Sequence, residues 1–358
     1  MRNSRKRAYM PIWVYIIVPF AVIVALSVGA VTLSALAAGR TTVRDLARSI
    51  TWKTAGEIES RVKSYLGTPQ LLLGALAETG KQGALDLGNP RAQRGLLYGF
   101  AGVEPAVSTF YYGDKEGRTA LVSRKPDGSG IFALRDGRTG GNLEIYALDS
   151  GGGLGALDSA SPFDPRERAW YKAAEAAGKP GWTDIYADFV TGGLVITPYA
   201  PLPDGSGGLQ GVFGADLPLE NLNGIVGEIA KGVGAEALVI DSGGRLVATS
   251  TGDPVTAEGA EGKKELIAAT ESGNPVVAAA AAYQGADAVS AASSGNATWY
   301  AEFAAGKETY FLSSSPLRDE RGLEWRVLVY VPVSASMGML RKNIGLSVGA
   351  SALAFALG

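Results

Sequence analysis

The alternation of apolar and polar residues changes character along this chain. Residues 12–38 form an apolar run without a charge. At about 1.5 Å rise per residue, a helix of that length crosses the ~30 Å hydrocarbon core of a bilayer. Residues 40–66 then predict a long amphipathic helix, with Ile58, Val62 and Tyr65 at i, i+4 and i+7 on one face. Gly67-Thr68-Pro69 predicts its end. Beyond it, short apolar runs alternate with glycine-bearing turns, the pattern of strands and hairpins.

Two of these hairpin patterns occur twice. "STFYYGDKEGRTALVS" (108–123) turns around Asp114-x-x-Gly117-Arg118, and "EALVIDSGGRLVATS" (236–250) turns around Asp241-x-x-Gly244-Arg245. "ITPYAPLPDGSGGLQGVFGADL" (196–217) and "FLSSSPLRDERGLEWRVLVYVP" (311–332) share Pro-Leu-x-Asp, a glycine turn and a Val/Leu/aromatic strand. Two matches in the same order predict two related modules, each on an antiparallel sheet, over residues 67–231 and 232–340. Leu222, Ile225 and Ile229 predict a connecting helix over 221–231. The Ala- and Ser-rich stretch 276–297 reads as helix and loop without chemistry.

The termini predict a membrane protein. Arg2, Arg5, Lys6 and Arg7 precede the apolar run, and basic residues stay cytoplasmic. Residues 1–11 are therefore expected inside and the chain after Arg40 outside. Trp13 and Tyr15 suit the interface. A cleaved signal peptide ending near Ala35-Leu36-Ala37 is the alternative, but its apolar region is usually only about 7–15 residues long. Residues 343–358 are apolar again and read as the start of a second, truncated membrane helix, or as a short buried or amphipathic C-terminal helix.

Charge is nearly balanced, 33 Lys+Arg against 35 Asp+Glu, so there is no basic footprint for nucleic acid. The chain has no cysteine and no histidine. That excludes disulfides, thiolate metal sites and Cys nucleophiles, and removes the commonest general base and metal ligand. Carboxylate, Lys or Tyr chemistry remains open.

An apolar anchor, a long helix, two hairpin-bearing modules and a second apolar segment together resemble the double Cache sensor regions of bacterial transmembrane receptors. These receptors include chemoreceptors, sensor kinases and cyclic-dinucleotide enzymes. The resemblance spans nearly the whole chain. It implies an α+β fold of two PAS-like Cache modules, antiparallel sheets flanked by helices, on the long N-terminal helix with membrane helices at both ends. It further implies a homodimer in the bacterial inner membrane, a ligand in the membrane-distal module and a cytoplasmic output domain lying outside this chain.

Amino-acid-binding members carry a Tyr, then Arg-x-Trp-Tyr, then Tyr-x-Asp, then a later Asp. Here Arg168-Ala169-Trp170-Tyr171 matches the second element, Tyr186-Ala187-Asp188 the third and Asp216 the last. Phe163 stands where the Tyr is expected. The implied ligand site is thus Phe163, Arg168, Trp170, Tyr171, Tyr186, Asp188 and Asp216, without cofactor, metal or catalytic residue. An α-amino acid fits this chemistry. Arg168 pairs bidentately with its carboxylate, the Trp170 indole adds a donor, and Asp188 and Asp216 accept from its ammonium beside Tyr186. Tyr171 can serve either end.

Other readings of the same residues stay open. Arg168, Asp188 and Asp216 can pair with one another on a surface while Trp170 and Tyr171 pack in a core. An amine ligand would leave Arg168 without a partner. An anchored enzyme would use Asp188 and Asp216 as acid and base, and a scaffold would bind nothing small. Asp164-Pro165 reads as a helix start with Arg166 facing solvent. Trp182, Thr183 and Asp184 read as shaping a strand entry, and Trp299, Tyr300, Tyr310 and Trp325 as sheet packing.

Overall fold

The computed structural model describes residues 12–125, 127–259, 264–291 and 298–334. Its spine is one helix, α1 (Ile12–Lys81). The break expected at Gly67-Thr68-Pro69 is absent, because α1 continues through Pro69. An internal proline removes a helical hydrogen bond, at about 3 kcal/mol. Leu66 before it, and Leu73 and Leu76 after it, are all buried in one core cluster. Each such side chain returns about 1.5–3 kcal/mol, so the apolar stripe carries the helix across the proline.

Ile58 and Val62 are fully buried, as their spacing predicts. Among the described residues no helix is long and apolar enough to cross a membrane. The span expected over 12–38 is therefore helical, as the first part of α1, but not established as a membrane helix. The one expected over 343–358 lies outside the described residues.

Two antiparallel sheets pack along α1. In the first, β1 (Thr109–Asp114), β2 (Thr119–Arg124), β3 (Gly130–Arg135), β4 (Asn142–Leu148) and β5 (Leu154–Pro162) form a meander. Its other members are β6 (Gly181–Trp182), β7 (Tyr186–Ala187), β8 (Leu194–Ile196), β9 (Pro198–Pro203) and β10 (Leu209–Pro218). The order is β5-β4-β3-β2-β1-β10-β8-β7, with β9 between β10 and β6. α2 (Arg94–Val103) covers one face and α3 (Ala169–Ala177) the other.

After the connecting helix α4 (Glu220–Gly232) comes the second sheet. It holds β11 (Glu236–Ile240), β12 (Leu246–Thr249), β15 (Trp299–Ala305), β16 (Glu308–Arg318) and β17 (Glu324–Pro332) in the order β12-β11-β17-β16-β15. The small hairpin β13 (Thr256–Glu258) and β14 (Lys264–Leu266) and the helix α5 (Pro275–Ala291) belong to the same unit. The alanine-rich stretch contributes to a core after all. Small side chains let α5 lie close, and Val277, Ala280 and Ala281 are buried against the sheet. Trp299 and Tyr310 pack against the same cluster, and Trp325 is buried.

The internal repeat holds at atomic level. In the first hairpin the Asp114 carboxylate accepts from the Arg118 backbone N–H at 2.8 Å and from its Nε at 2.6 Å. In the second hairpin Asp241 does the same to Arg245 at 2.8 and 2.7 Å. Gly117 and Gly244 both have positive φ, 80° and 75°, which a tight turn requires and glycine tolerates. Asp204 accepts from the N–H groups of Ser206 and Gly208, and Asp319 from those of Arg321 and Leu323. The strand order β2-β1-β10-β9-β6 thus matches β12-β11-β17-β16-β15.

The turn holding Asp319 also ties the units together. The Trp182 indole N–H donates to Asp319 Oδ2 at 2.6 Å, and Gln70 Nε2 on α1 donates to the same oxygen at 3.3 Å. Trp182 therefore does more than shape a strand entry.

Candidate ligand-binding site

The alternation along β1 and β10 separates two faces. Phe110, Tyr112, Phe213, Ala215 and Leu217 enter the core beneath α1 and α2. Tyr111 and Val212 face α3, with Trp170, Tyr171 and Ala174. Thr109 pairs with Asp216, and Tyr111 with Gly214, two rungs apart on the same face. Glycine at 214 is needed because a Cβ there would stand 2.2 Å from the Tyr111 ring. Glycine at 113 does the same for Trp170, whose ring tip would lie 2.7 Å from an added Cβ.

α3 is set up by the turn before it. Asp164 accepts from the Arg166 backbone N–H at 2.9 Å and holds its guanidinium at 2.6 Å, so Arg166 is exposed but paired. Arg168 follows as the extended residue at the N-terminus of α3.

Between α3 and the sheet lies a cavity with about 400 Å³ between its walls, open mouth included. Phe163, Arg168, Trp170, Tyr186, Asp188 and Asp216 all line it. Tyr171 does not. It sits one helical position past Trp170, packed edge-on against that ring at 5.6 Å between centroids. Burial pushes its hydroxyl up to about 12, with Glu175 and Asp114 adding to the shift.

Sequence reasoning missed Thr109 and Tyr111 on β1, Thr119 and Leu121 on β2, and Phe189 and Val190 after β7. It also missed Thr197. For those on β1 and β2 the only signal was strand alternation, which does not say which face holds a cavity, while Phe189, Val190 and Thr197 lie outside the strands.

The polar groups sort by charge. Asp216 Oδ1 accepts from Tyr111 OH at 2.7 Å, Tyr186 OH at 3.1 Å and Thr197 Oγ1 at 2.5 Å. Oδ2 has no such bond among the described residues. Burial, then the charge of Asp188, raises Asp216 to about 7 against the pull of the three hydroxyls. Burial and Asp216 likewise push the Tyr111 and Tyr186 hydroxyls up. Asp188 Oδ2 accepts from Thr191 N–H at 2.7 Å and Thr191 Oγ1 at 2.8 Å, a local turn that leaves Oδ1 uncommitted.

Arg168 has no ion pair among the described residues. Its guanidinium instead lies 5.6 Å from the Phe163 ring centroid and 5.0 Å from that of Phe189. The two rings meet edge-on at 5.1 Å. Phe163 thus forms half of an aromatic seat for the cation, and no hydroxyl is needed for that contact. The alternative in which Arg168 pairs with Asp188 or Asp216 does not occur. No group of Asp and Glu that could hold a metal exists among the described residues.

Residues 120–224, which contain most of this cavity, match the family model described as "Methyl-accepting chemotaxis protein-like, first PDC sensor domain". This segment is therefore similar to the first PDC sensor domain of chemotaxis receptors. Curated relatives agree. Methyl-accepting chemotaxis protein McpA of Pseudomonas putida is 35% identical over 94 residues, 26% of this chain and 14% of the relative. PctB of Pseudomonas aeruginosa is 26% identical over 185 residues, 52% of this chain and 25% of the relative. The match thus spans a quarter or less of either receptor.

Among solved structures, the ligand-binding domain of Campylobacter jejuni Tlp3 with 4-methylisoleucine superposes at a TM-score of 0.54. It is 14% identical and covers 82% of this chain and 94% of that one. The ligand-binding domain of Pseudomonas fluorescens CtaA with L-isoleucine gives 0.51 at 18% identity, covering 84% and 97%. These likenesses establish the fold around the PDC sensor domain. The matched relatives are chemotaxis receptors rather than enzymes.

Proposed function

We propose that this chain is the sensing region of a membrane chemoreceptor and that its cavity binds an α-amino acid. One observation carries the reading. An arginine without an ion pair among the described residues lies against two phenylalanine rings, in the same cavity as two buried carboxylates that each have one oxygen uncommitted among those residues. A zwitterion on one carbon supplies what each lacks. Its carboxylate takes the Arg168 fork, and its ammonium takes Asp188 Oδ1 and Asp216 Oδ2. The Trp170 ring walls the site, and the Tyr186 hydroxyl holds Asp216. An amine would leave Arg168 unmatched and an organic acid would leave the aspartates unmatched. The solved relatives named above hold amino acids in their ligand-binding domains.

The remainder of the proposal concerns the whole receptor. Ile12, Ile16, Ile17, Phe20, Ile23 and Leu26 stand exposed on α1, an apolar surface suited to lipid. We take residues 12–38 as the anchor, residues 67–231 as the membrane-distal module and residues 232–340 as the proximal one. Two chains pair along α1, where Leu46 and Trp52 are exposed. Ligand binding favours one conformation and biases a cytoplasmic output domain of the longer receptor.

The test is thermal unfolding of the full chain against the twenty L-amino acids, matched amines and organic acids. A ligand of the folded state raises the midpoint by mass action. Amino acids alone are expected to raise it, and Arg168→Ala and Asp216→Ala to remove the shift. A shift with amines or acids alone, or with nothing, would sink the proposal.

A further inference from the structure

Thr109 is 1% exposed, lines the cavity, and its hydroxyl has no hydrogen-bond partner among the described residues. Buried side-chain hydroxyls in native proteins are nearly always satisfied, and one left open at a binding site calls for a reason. Its neighbour gives one. Thr109 and Asp216 are opposite partners on β1 and β10, and such pairs hold their Cβ atoms about 4.5–5.5 Å apart. The Thr109 side chain therefore starts at the acidic end of the cavity, on the rung of the carboxylate whose Oδ1 is already taken by Tyr111, Tyr186 and Thr197. Thr119, the other threonine in the lining, spends its hydroxyl on the Tyr112 carbonyl at 2.6 Å. Among the described residues, Asp188 Oδ1, Asp216 Oδ2 and Thr109 Oγ1 are then the lining side-chain acceptors that take part in no hydrogen bond.

An ammonium carries three N–H donors and no acceptor. We infer that Thr109 is a specificity-determining residue whose hydroxyl accepts the third N–H of the ligand's ammonium, so that the cavity selects primary amino acids over N-methylated ones. This rests on the amino-acid reading of the site. A secondary ammonium has two N–H donors and places a methyl group against a buried polar atom, which leaves that atom unpaired and gives strong discrimination. The hydroxyl also penalises the empty site, since an unpaired buried polar group is unfavourable until a ligand arrives. Thr109→Val keeps the shape and removes the group. It is expected to raise the unfolding midpoint of the ligand-free chain while weakening the ligand.

The experiment measures binding of the twenty L-amino acids and their N-methyl counterparts to the full chain, to Thr109→Val and to Thr109→Ser. In the unaltered chain at least one primary amino acid is expected to bind, with its N-methyl form at least tenfold weaker. Thr109→Val should weaken the primary form about ten- to a hundredfold and bring the two forms together. Thr109→Ser, which retains the hydroxyl, should preserve the preference and guards against a folding defect in the valine variant. Unchanged affinity and preference in a folded Thr109→Val would overturn the inference and leave the amino-acid site intact. Binding of no amino acid by the unaltered chain would overturn both.

Discussion

On the rung that pairs β1 with β10, Thr109 stands opposite Asp216. On the corresponding rung of β11 and β17, Glu236 stands opposite Tyr330. Two rungs further, on the same face, Tyr111 and Gly214 correspond to Leu238 and Leu328. The strand frame is the same, but the face has opposite contents. In the second unit Tyr330 is fully buried, Phe303 packs against it at 6.0 Å and against Tyr310 at 5.2 Å, and Ala280 of α5 closes the layer. In the first unit a glycine makes room for a tyrosine whose hydroxyl holds a carboxylate. The difference shows how one fold divides labour. Filling the face with aromatic and aliphatic groups gives a packed support, and leaving it hollow with polar groups gives a cavity.

The comparison can be broken most directly at Tyr330. Tyr330→Ala removes a buried aromatic and is expected to destabilise the chain by about 3–5 kcal/mol, read by denaturant unfolding. Ligand affinity of the folded protein should not change. A loss of affinity without loss of stability would show that the second unit also builds the site.

Next in size is the tie between the units. Burial acts to raise Asp319, yet the Trp182 indole, the Leu323 and Arg321 N–H groups and Gln70 outweigh it and hold the carboxyl below its usual range. A hydrogen bond to a charged group contributes about 1.5–3 kcal/mol. Trp182→Phe should lower stability by up to that amount. In a double-mutant cycle with Asp319→Asn the two effects should be non-additive, and full additivity would mean the contact does not couple the units.

The third test is pH. Asp216 titrates near 7 in the folded chain, against about 3.9 when unfolded. The folded state therefore binds more protons between those values, so ligand-free stability should fall as pH rises from about 4 to about 7. The ammonium wants the ionised carboxylate, so binding should strengthen over the approach to pH 7, by at most about tenfold per unit, and level off above it. In Asp216→Asn both dependences should flatten. A pH-independent affinity in the unaltered chain would place the ammonium elsewhere.

The smallest effect concerns the seat of Arg168. Phe163→Leu removes one of its two rings, worth about 0.5–1 kcal/mol at a partly exposed site. A two- to fivefold loss of amino-acid affinity is expected by titration, with no change in the pH profile.

Much of this architecture was legible because turns are local. The Asp-x-x-Gly-Arg and Pro-Leu-x-Asp motifs fix their own hydrogen bonds within five residues, so the repeat could be read without a partner strand in view. The α4 connection followed from its spacing, and Asp216 stood out within its motif. What stayed hidden depends on contacts distant in sequence. Pro69 reads as a stop until Leu73 and Leu76 are seen to have a core waiting for them. Tyr111 and Thr109 look like any residues of a strand, because alternation assigns them to a face and says nothing of what covers it. Tyr171 reads as able to serve either end of the ligand, but one helical step from Trp170 is about 100°, enough to turn it out of the cavity. Phe163 stands where a Tyr is expected, and what its ring does there, seating the Arg168 guanidinium, shows only in the fold.

The unbroken α1 has one more consequence. Its buried stripe is shared, with Ile58 and Val62, Leu66 and Leu73 entering a single cluster that also contains Phe213 of the first sheet and Val329 of the second. Neither sheet has a private core on that side. Melting one strips apolar surface from the helix that the other needs, so two structurally separate units are expected to behave as one cooperative thermodynamic body. Calorimetry should then record a single endotherm for the chain, whichever sheet carries the destabilising substitution.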